Sequence, residues 1–176
     1  MRYIAFLRGI NVGGKNIIRM EDLSPIFNRI GFKKVTTYIQ SGNVLFDSDA
    51  AFSEQIEEQI EEEMKKLLEN AIPVIVRSVN AMENLISQDP FRSYQGDPEL
   101  KFYVCFLKKK PERIPPIPLI SIRDGLEVIH LNDLYAFVVS RKVKRMYGFP
   151  NNLIEKELNV PATTRNWNTI LKMIKK

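Results

Sequence analysis

The sequence predicts an α+β protein. A ferredoxin-like βαββαβ N-terminal half with an antiparallel sheet spans residues 1–79, and a smaller mixed α/β C-terminal half spans residues 80–176, its terminal helix packing back on the first half. Three observations carry this. Tyr3 to Leu7 is a short run apolar on both faces, as an interior strand is. Val35 to Gln40 and Asn43 to Phe46 flank Ser41 and Gly42 with the alternation of a hairpin. Amphipathic segments at helical spacing lie on either side of that hairpin.

The first of those segments places Met20, Leu23, Phe27 and Ile30 on one helical face, with Gly31 as the C-terminal cap. Pro25 leaves its start open: Ser24 and Pro25 could begin a later helix, or Pro25 could kink one that started near Met20. The second segment is capped by Ser53 and buries Phe52, Ile56, Ile60, Met64, Leu67 and Leu68. Its glutamates come early and its lysines late, matching the helix dipole. Pro73 leads into a strand from Val74 to Val79. Beyond it, a short helix near Ala81 to Ser87 precedes a strand from Lys101 to Leu107. A stiff Pro-rich connection runs from Pro111 to Pro118, and Leu126–Leu131 and Tyr135–Ser140 form a hairpin across Asn132 and Asp133. The last helix buries Trp167, Ile170, Leu171 and Ile174, with Thr163 or Thr164 as its N-cap.

An apolar content of 44% with 27% charged residues is ordinary for a chain that buries a core. No segment approaches the length of a membrane span or a secretory leader, so the expected location is the cytoplasm and no membrane partner is expected. Cys105 is the single cysteine, in a strand with aromatic neighbours, which excludes an intramolecular disulfide and reads as a buried, inert thiol. A lone His130 excludes the usual zinc sites and reads as a packing or rim residue. No metal and no cofactor is implied. The net charge of +5 is unevenly spread: residues 53–70 carry seven Glu against two Lys, whereas residues 141–176 carry nine Lys and Arg against two Glu. That asymmetry draws the C-terminal side toward phosphates or polyanions and turns the acidic helix away from them.

Candidate site residues cluster in three segments. LRGINVGGKN (7–16) joins glycines, asparagines and cations at the end of the first strand, where backbone N–H groups and positive charge grip anions. Gly9, Gly14 and Lys15 reproduce a GxxxxGK spacing, but Asn16 stands where Ser or Thr would hold Mg²⁺, and the hairpin that follows is wrong for a nucleotide hydrolase. In a βαββαβ unit this loop and the Gln40–Asn43 turn share one edge of the sheet. In TTRNWNT (163–169), Arg165 falls in the first turn of the last helix, where a cation opposes the dipole unless an anion is near. Glu21 and Asp22 could supply a carboxylate beside the loop. The Arg141–Arg145 run with Tyr147 and Phe149 resembles a basic patch with stacking aromatics.

FLRGINVGGKN, the Met20 and Leu23 spacing, TYIQSGNVLF and TTRNWNT together resemble the signature segments of the bacterial domain of unknown function 1697 family. The resemblance runs from Tyr3 to the C-terminus and is least distinctive from Asp89 to Asp124. It implies an α+β fold with a ferredoxin-like portion in a stand-alone cytoplasmic protein, and brings no activity or catalytic residue. On matching positions it marks Arg8, Asn11, Gly13, Gly14, Lys15, Ser41, Gly42, Asn43, Thr164, Arg165, Asn166 and Trp167, with Trp167 and the turn glycines the first to be read as structural. Three classes of function remain. The favoured one is a module binding a phosphate-bearing ligand, either a small molecule or single-stranded nucleic acid. The others are a protein-interaction or assembly domain and an enzyme acting on a phosphorylated substrate.

Overall fold

The computed structural model describes residues 1–11, 13, 16–68 and 71–175. The chain divides into two compact units, Met1–Asn84 and Leu85–Lys176. Both are built on antiparallel sheets, and five α-helices occur among the described residues.

In the first unit, β1 (Arg2–Leu7), α1 (Met20–Ile30), β2 (Lys33–Tyr38), β3 (Asn43–Asp47), α2 (Ser53–Lys65) and β4 (Val74–Ser78) follow in that order. The sheet order is β2-β3-β1-β4, each neighbour antiparallel. Tyr3 to Leu7 are all buried, which is why β1 reads as apolar on both faces. One face of the sheet meets Leu23, Ile26 and Phe27 of α1 and Ile56, Ile60 and Met64 of α2. Each such fully buried side chain contributes about 1.5 to 3 kcal/mol. Phe46 is the hub of this core, with ring centroids 4.5 Å from Phe32, 5.3 Å from Phe27 and 6.0 Å from Tyr3.

Helix α1 starts at Met20, so Pro25 lies inside it, and Gly31 closes it in the left-handed conformation at φ 99°. Helix α2 departs from expectation in three ways, the first being that Phe52 and Leu67, expected on its buried face, are 63% and 54% exposed. Phe52 is its N-cap residue and no side chain caps it, so Ser53 is the first helical residue and not the cap. Its acidic face is not simply turned to solvent. Glu61 Oε1 accepts from Val74 N and Glu57 Oε1 from Val76 N, each at 2.7 Å. These N–H groups lie on the outer side of edge strand β4, so the two glutamates occupy donors that would otherwise template pairing with another chain.

Helix α3 (Val79–Ser87) follows β4 directly. The second unit then runs β5 (Leu100–Leu107), β6 (Leu119–Ser121), β7 (Leu126–Leu131), β8 (Tyr135–Val143), β9 (Met146–Tyr147), α4 (Asn151–Leu158), β10 (Ala162–Asn166) and α5 (Trp167–Ile174). Its sheet has the order β10-β5-β8-β7-β6, with β9 paired to β8. At six strands against four, this sheet is larger than the first, contrary to the smaller C-terminal half expected. One face carries Cys105, Val128, Val138 and Ala162 against Ile154 and Leu158 of α4. Phe91, Phe102, Phe137 and Trp167 form a second, aromatic cluster, with centroids 4.7 to 5.8 Å apart. On α5 it is Trp167, Ile170 and Met173 that are buried, while Leu171 and Ile174 are half-buried.

The β8–β9 turn is backbone-strained. Val143 pairs with Met146, leaving Lys144 and Arg145 as a two-residue turn at φ 50° and 70°. Such turns favour Asn-Gly, because left-handed backbone costs other L-residues roughly 1 to 2 kcal/mol each. The double variant Lys144→Asn/Arg145→Gly is therefore expected to gain about 1 to 2 kcal/mol and raise the melting temperature by a few degrees, as read by thermal denaturation. An unchanged or lower melting point would mean that the two cations stabilise the native turn.

Candidate functional site

Strand β1 delivers the chain to the edge where the β2–β3 turn also lies. Leu7 N donates to Gly42 O at 2.8 Å, and Arg8 N donates to Pro73 O at 3.0 Å. The loop then folds through left-handed backbone at Gly9, Asn11, Gly13 and Asn16. Asn11 clasps it shut: its Oδ1 accepts from Ile18 N, and its Nδ2 donates to Ile18 O, both at 2.9 Å. The same Nδ2 reaches Gln40 O at 3.4 Å, and Asn16 Nδ2 donates to Gly9 O at 3.3 Å.

The facing turn is equally self-contained. Buried Asn43 donates from Nδ2 to Ser41 Oγ at 2.8 Å and to Tyr38 O at 3.2 Å, stapling the hairpin from inside. Gly42 has φ 70°, and a Cβ there would fall 2.8 Å from the Ile10 side chain and 3.1 Å from Leu7 Cβ, so both conformation and space demand glycine. The loop and the turn thus meet as the topology implies, but Asn11, Ser41 and Asn43 spend polar atoms on holding the edge together. Gly14 and Lys15, with the GxxxxGK reading that depends on them, lie outside the described residues.

A cleft of about 550 Å³ opens at this edge, lined by Asn11, Ile17, Ile18, Arg19, Met20, Glu21 and Gln40. Arg19 is the N-cap residue of α1 and provides no side-chain acceptor. Its guanidinium lies 3.4 Å from Glu21, and both side chains are mostly exposed. A second groove of about 360 Å³ shares Ile17 and Ile18 and continues between Pro25, Ile26, Leu67 and Leu68. Gln40 opens the turn that the topology brings to this edge, whereas Ile17 and Arg19 lie outside the motifs. The available signal for Arg19 was its position just before an amphipathic run, where Ser, Thr, Asp or Asn would normally cap.

Thr164, Arg165 and Asn166 belong to the second unit, and here the expected local structure is overturned. Residues 162–166 are strand β10, paired with β5 so that Arg165 faces Val104, and the helix begins only at Trp167. Asn166 is the true N-cap, its side chain accepting from Asn168 N at 2.9 Å. Arg165 therefore opposes no first-turn dipole. It is buried, with NH1 donating at 2.8 Å to both Thr163 Oγ1 and Thr164 O, and burial pushes its pKa down to about 10. The argument for an anion drawn from a misplaced cation falls with the helix start.

Thr164 links the strand to α4 and β5. Its Oγ1 donates to Asn151 Oδ1 at 3.1 Å and lies 3.2 Å from Cys105 Sγ. Burial drives the Cys105 thiol up to about 12, with the Thr164 hydrogen bond pulling weakly the other way. Native protein at pH 8 should therefore resist alkylation by iodoacetamide, and the thiol should become reactive on unfolding. Rapid native labelling would contradict the burial. Because the folded value is raised, the thiol's contribution is intact below the unfolded pKa near 9 and declines as pH climbs toward 12.

Among the described residues, no group of three or more His, Cys, Asp or Glu side chains is placed to hold a metal ion. No helix among them is long and apolar enough to cross a membrane. No curated protein matches the chain. Its fold is similar to the solved structure of a conserved bacterial protein, SP0830 from Streptococcus pneumoniae, with a TM-score of 0.68 and 24% identity, over 99% of this chain and 98% of that one. At that identity the likeness concerns the fold alone. A family model described as protein of unknown function (DUF1697) matches residues 1–135, a stretch that holds the loop and hairpin motifs and stops short of TTRNWNT. The chain therefore belongs to the DUF1697 family of proteins of unknown function.

Proposed function

We propose that the first unit is a ferredoxin-like module of a cytoplasmic protein, and that it binds a small phosphate-bearing ligand in the 550 Å³ cleft at its strand-end loops. The observation that carries this is the opening of α1 onto the cleft. An 11-residue helix presents its N-terminal N–H groups and positive dipole end there, and its N-cap Arg19 supplies a cation where a capping oxygen usually sits. Glu21 also lines the cleft, but it is exposed and turned onto Arg19. An exposed pair of that kind contributes about 0 to 1 kcal/mol, so a dianion competing for Arg19 displaces the carboxylate at little cost.

A thermal-shift screen with pyrophosphate, nucleotides and sugar phosphates tests the reading. A ligand at one hundred times its Kd stabilises by about 2.7 kcal/mol. Arg19→Asp gives α1 the missing cap, so it should stabilise the ligand-free protein by about 1 kcal/mol and abolish the ligand's shift. No shift from any of these compounds, or a shift that survives Arg19→Asp, would reject the site.

A second reading, protein interaction, is favoured by a different feature. Ile17 is 72% and Leu67 54% exposed, both lining the 360 Å³ groove between α1 and the end of α2. Loss of partner binding in Ile17→Ser/Leu67→Ser, with phosphate ligands inert, would favour it.

A further inference from the structure

We propose that one end of the second unit's sheet is a docking surface for an anionic lipid bilayer, formed by two adjoining turns, 122–125 and 144–145. The turns are in direct contact with the same strand end. Arg141 N donates to Gly125 O at 2.8 Å. A Cβ on Gly125 would lie 2.4 Å from Arg141 O and 2.8 Å from Val143 Cγ2, and one on Gly148 would lie 2.1 Å from Asp124 O. Only glycine permits this approach, and it joins the two turns into one edge.

That edge exposes large apolar side chains at its tips: Ile122 is 85%, Met146 73% and Phe149 58% exposed. Cations surround them. Arg123, Lys144 and Arg145 are exposed, and none has a carboxylate within ion-pair distance among the described residues. Of the carboxylates at this end, Glu127 and Glu99 are offset by cations, while Asp124 and Asp97 accept hydrogen bonds and keep their charge. Glu127 pairs with Arg141 at 2.7 Å, Glu99 pairs with Lys142 at 2.8 Å, Asp124 accepts from Ser121 Oγ at 2.7 Å, and Asp97 accepts from Glu99 N at 2.9 Å. Lys144 and Arg145 are presented from a strained turn that an Asn-Gly pair would relieve, so their charge is kept at a conformational cost.

Charge alone would suit a nucleic acid equally well, and the aromatic and aliphatic side chains decide between the two. Base stacking needs free ring faces. Tyr147 carries Lys101 at 4.1 Å and Lys142 at 5.5 Å over its ring, whereas Phe149, 58% exposed and in edge contact with Tyr103 at 5.7 Å, keeps a ring face open and suits an interfacial anchor as well as a stacking platform. The most exposed apolar groups at this edge are the aliphatic Ile122, in the 122–125 turn, and Met146, the first residue of β9. Ile122 and Met146 have no ring to stack, whereas they can sink into the headgroup layer while neighbouring cations meet anionic lipids.

Sedimentation with vesicles of phosphatidylcholine, with and without 30% phosphatidylglycerol, at about 0.1 M salt tests this. The protein should pellet with the anionic vesicles and not with the neutral ones. Lys144→Asn/Arg145→Gly should lower partitioning by about tenfold or more while leaving the protein folded and at least as heat-stable. Ile122→Ser/Met146→Ser, checked for unchanged circular dichroism, should weaken binding comparably. The proposal is overturned if anionic vesicles are not preferred or if the apolar pair proves dispensable. It is also overturned if the turn variants instead abolish binding to a single-stranded oligonucleotide that the vesicles fail to displace.

Discussion

Trp167→Ala is expected to cost about 3 to 5 kcal/mol and to threaten the fold of the second unit. Trp167 opens α5 and is buried with ring centroids 5.4 Å from Phe91 and 5.8 Å from Phe137. Truncation leaves a cavity that two aromatic neighbours cannot close, because both are themselves held by further ring contacts. Urea denaturation followed by far-ultraviolet circular dichroism reads the loss. Trp167→Phe, which keeps most of the volume, should recover more than half of it. If alanine proved nearly neutral, the aromatic cluster would not be what holds α5 to β10 and β5.

Glu57→Ala is the second large effect, expected at about 3 to 5 kcal/mol. The carboxylate is buried, accepts from Val76 N at 2.7 Å and lies 3.7 Å from Arg77 NH1. Burial pushes the Arg77 guanidinium below its ordinary pKa and Glu57 works against that, so removing Glu57 leaves a buried cation with less compensation and an edge N–H without its acceptor. Glu57→Gln retains an acceptor oxygen but loses the charge, and should fall between wild type and alanine. Equal stability of all three proteins would mean that neither the charge nor the strand-edge bond matters.

Local pattern explains what was legible. The β1 run, the α1 stripe ending at Gly31, the hairpin about Ser41 and Gly42, and the hairpin across Asn132 and Asp133 are each set by residues a few positions apart and each appears, although β2 runs Lys33–Tyr38 instead of Val35–Gln40, with Ile39 and Gln40 in the turn. Cys105 is buried, as its aromatic neighbours suggest. What escaped depends on distant partners. Thr163, Thr164 and Arg165 look locally like a helix start, but strand β5, about 60 residues away, offers an open edge, and β-branched threonines pair well on it. Helix α4 went unread because its Asn-rich start follows Pro150 and only Ile154 and Leu158 are buried on it. The roles of Glu57 and Glu61 are hidden for the same reason, because nothing in the spacing of the α2 glutamates tells which of them meets an edge strand.

The candidate site was legible as a place and less so as a set of residues. Topology alone brings the 7–16 loop beside the 40–43 turn. Yet the asparagines of the motifs, Asn11 and Asn43, spend their side-chain amides on holding the loop and turn, whereas Arg19 lines the cleft without belonging to a conspicuous motif.

The order in which strands enter the second sheet bears on how this chain is made. The first unit is continuous and draws its whole sheet from residues 2–78, so it can be completed while the remainder is still being translated. The second sheet cannot. Strand β5 emerges early, gains β8 on one side once residue 143 is out, and keeps its other side bare until β10 arrives at residues 162–166. During that interval the nascent chain displays the unpaired edge of an apolar strand containing Val104, Cys105 and Phe106, the kind of template on which neighbouring chains pair wrongly. Glu155, whose carboxylate accepts from Ala162 N at 2.8 Å, emerges just ahead of β10 and occupies a donor on that strand once it docks. Whatever lengthens the interval between the exit of residue 143 and the docking of β10 extends the exposure of this edge, and a chain truncated before residue 162, which leaves the edge bare for good, should give a lower soluble yield than the full chain.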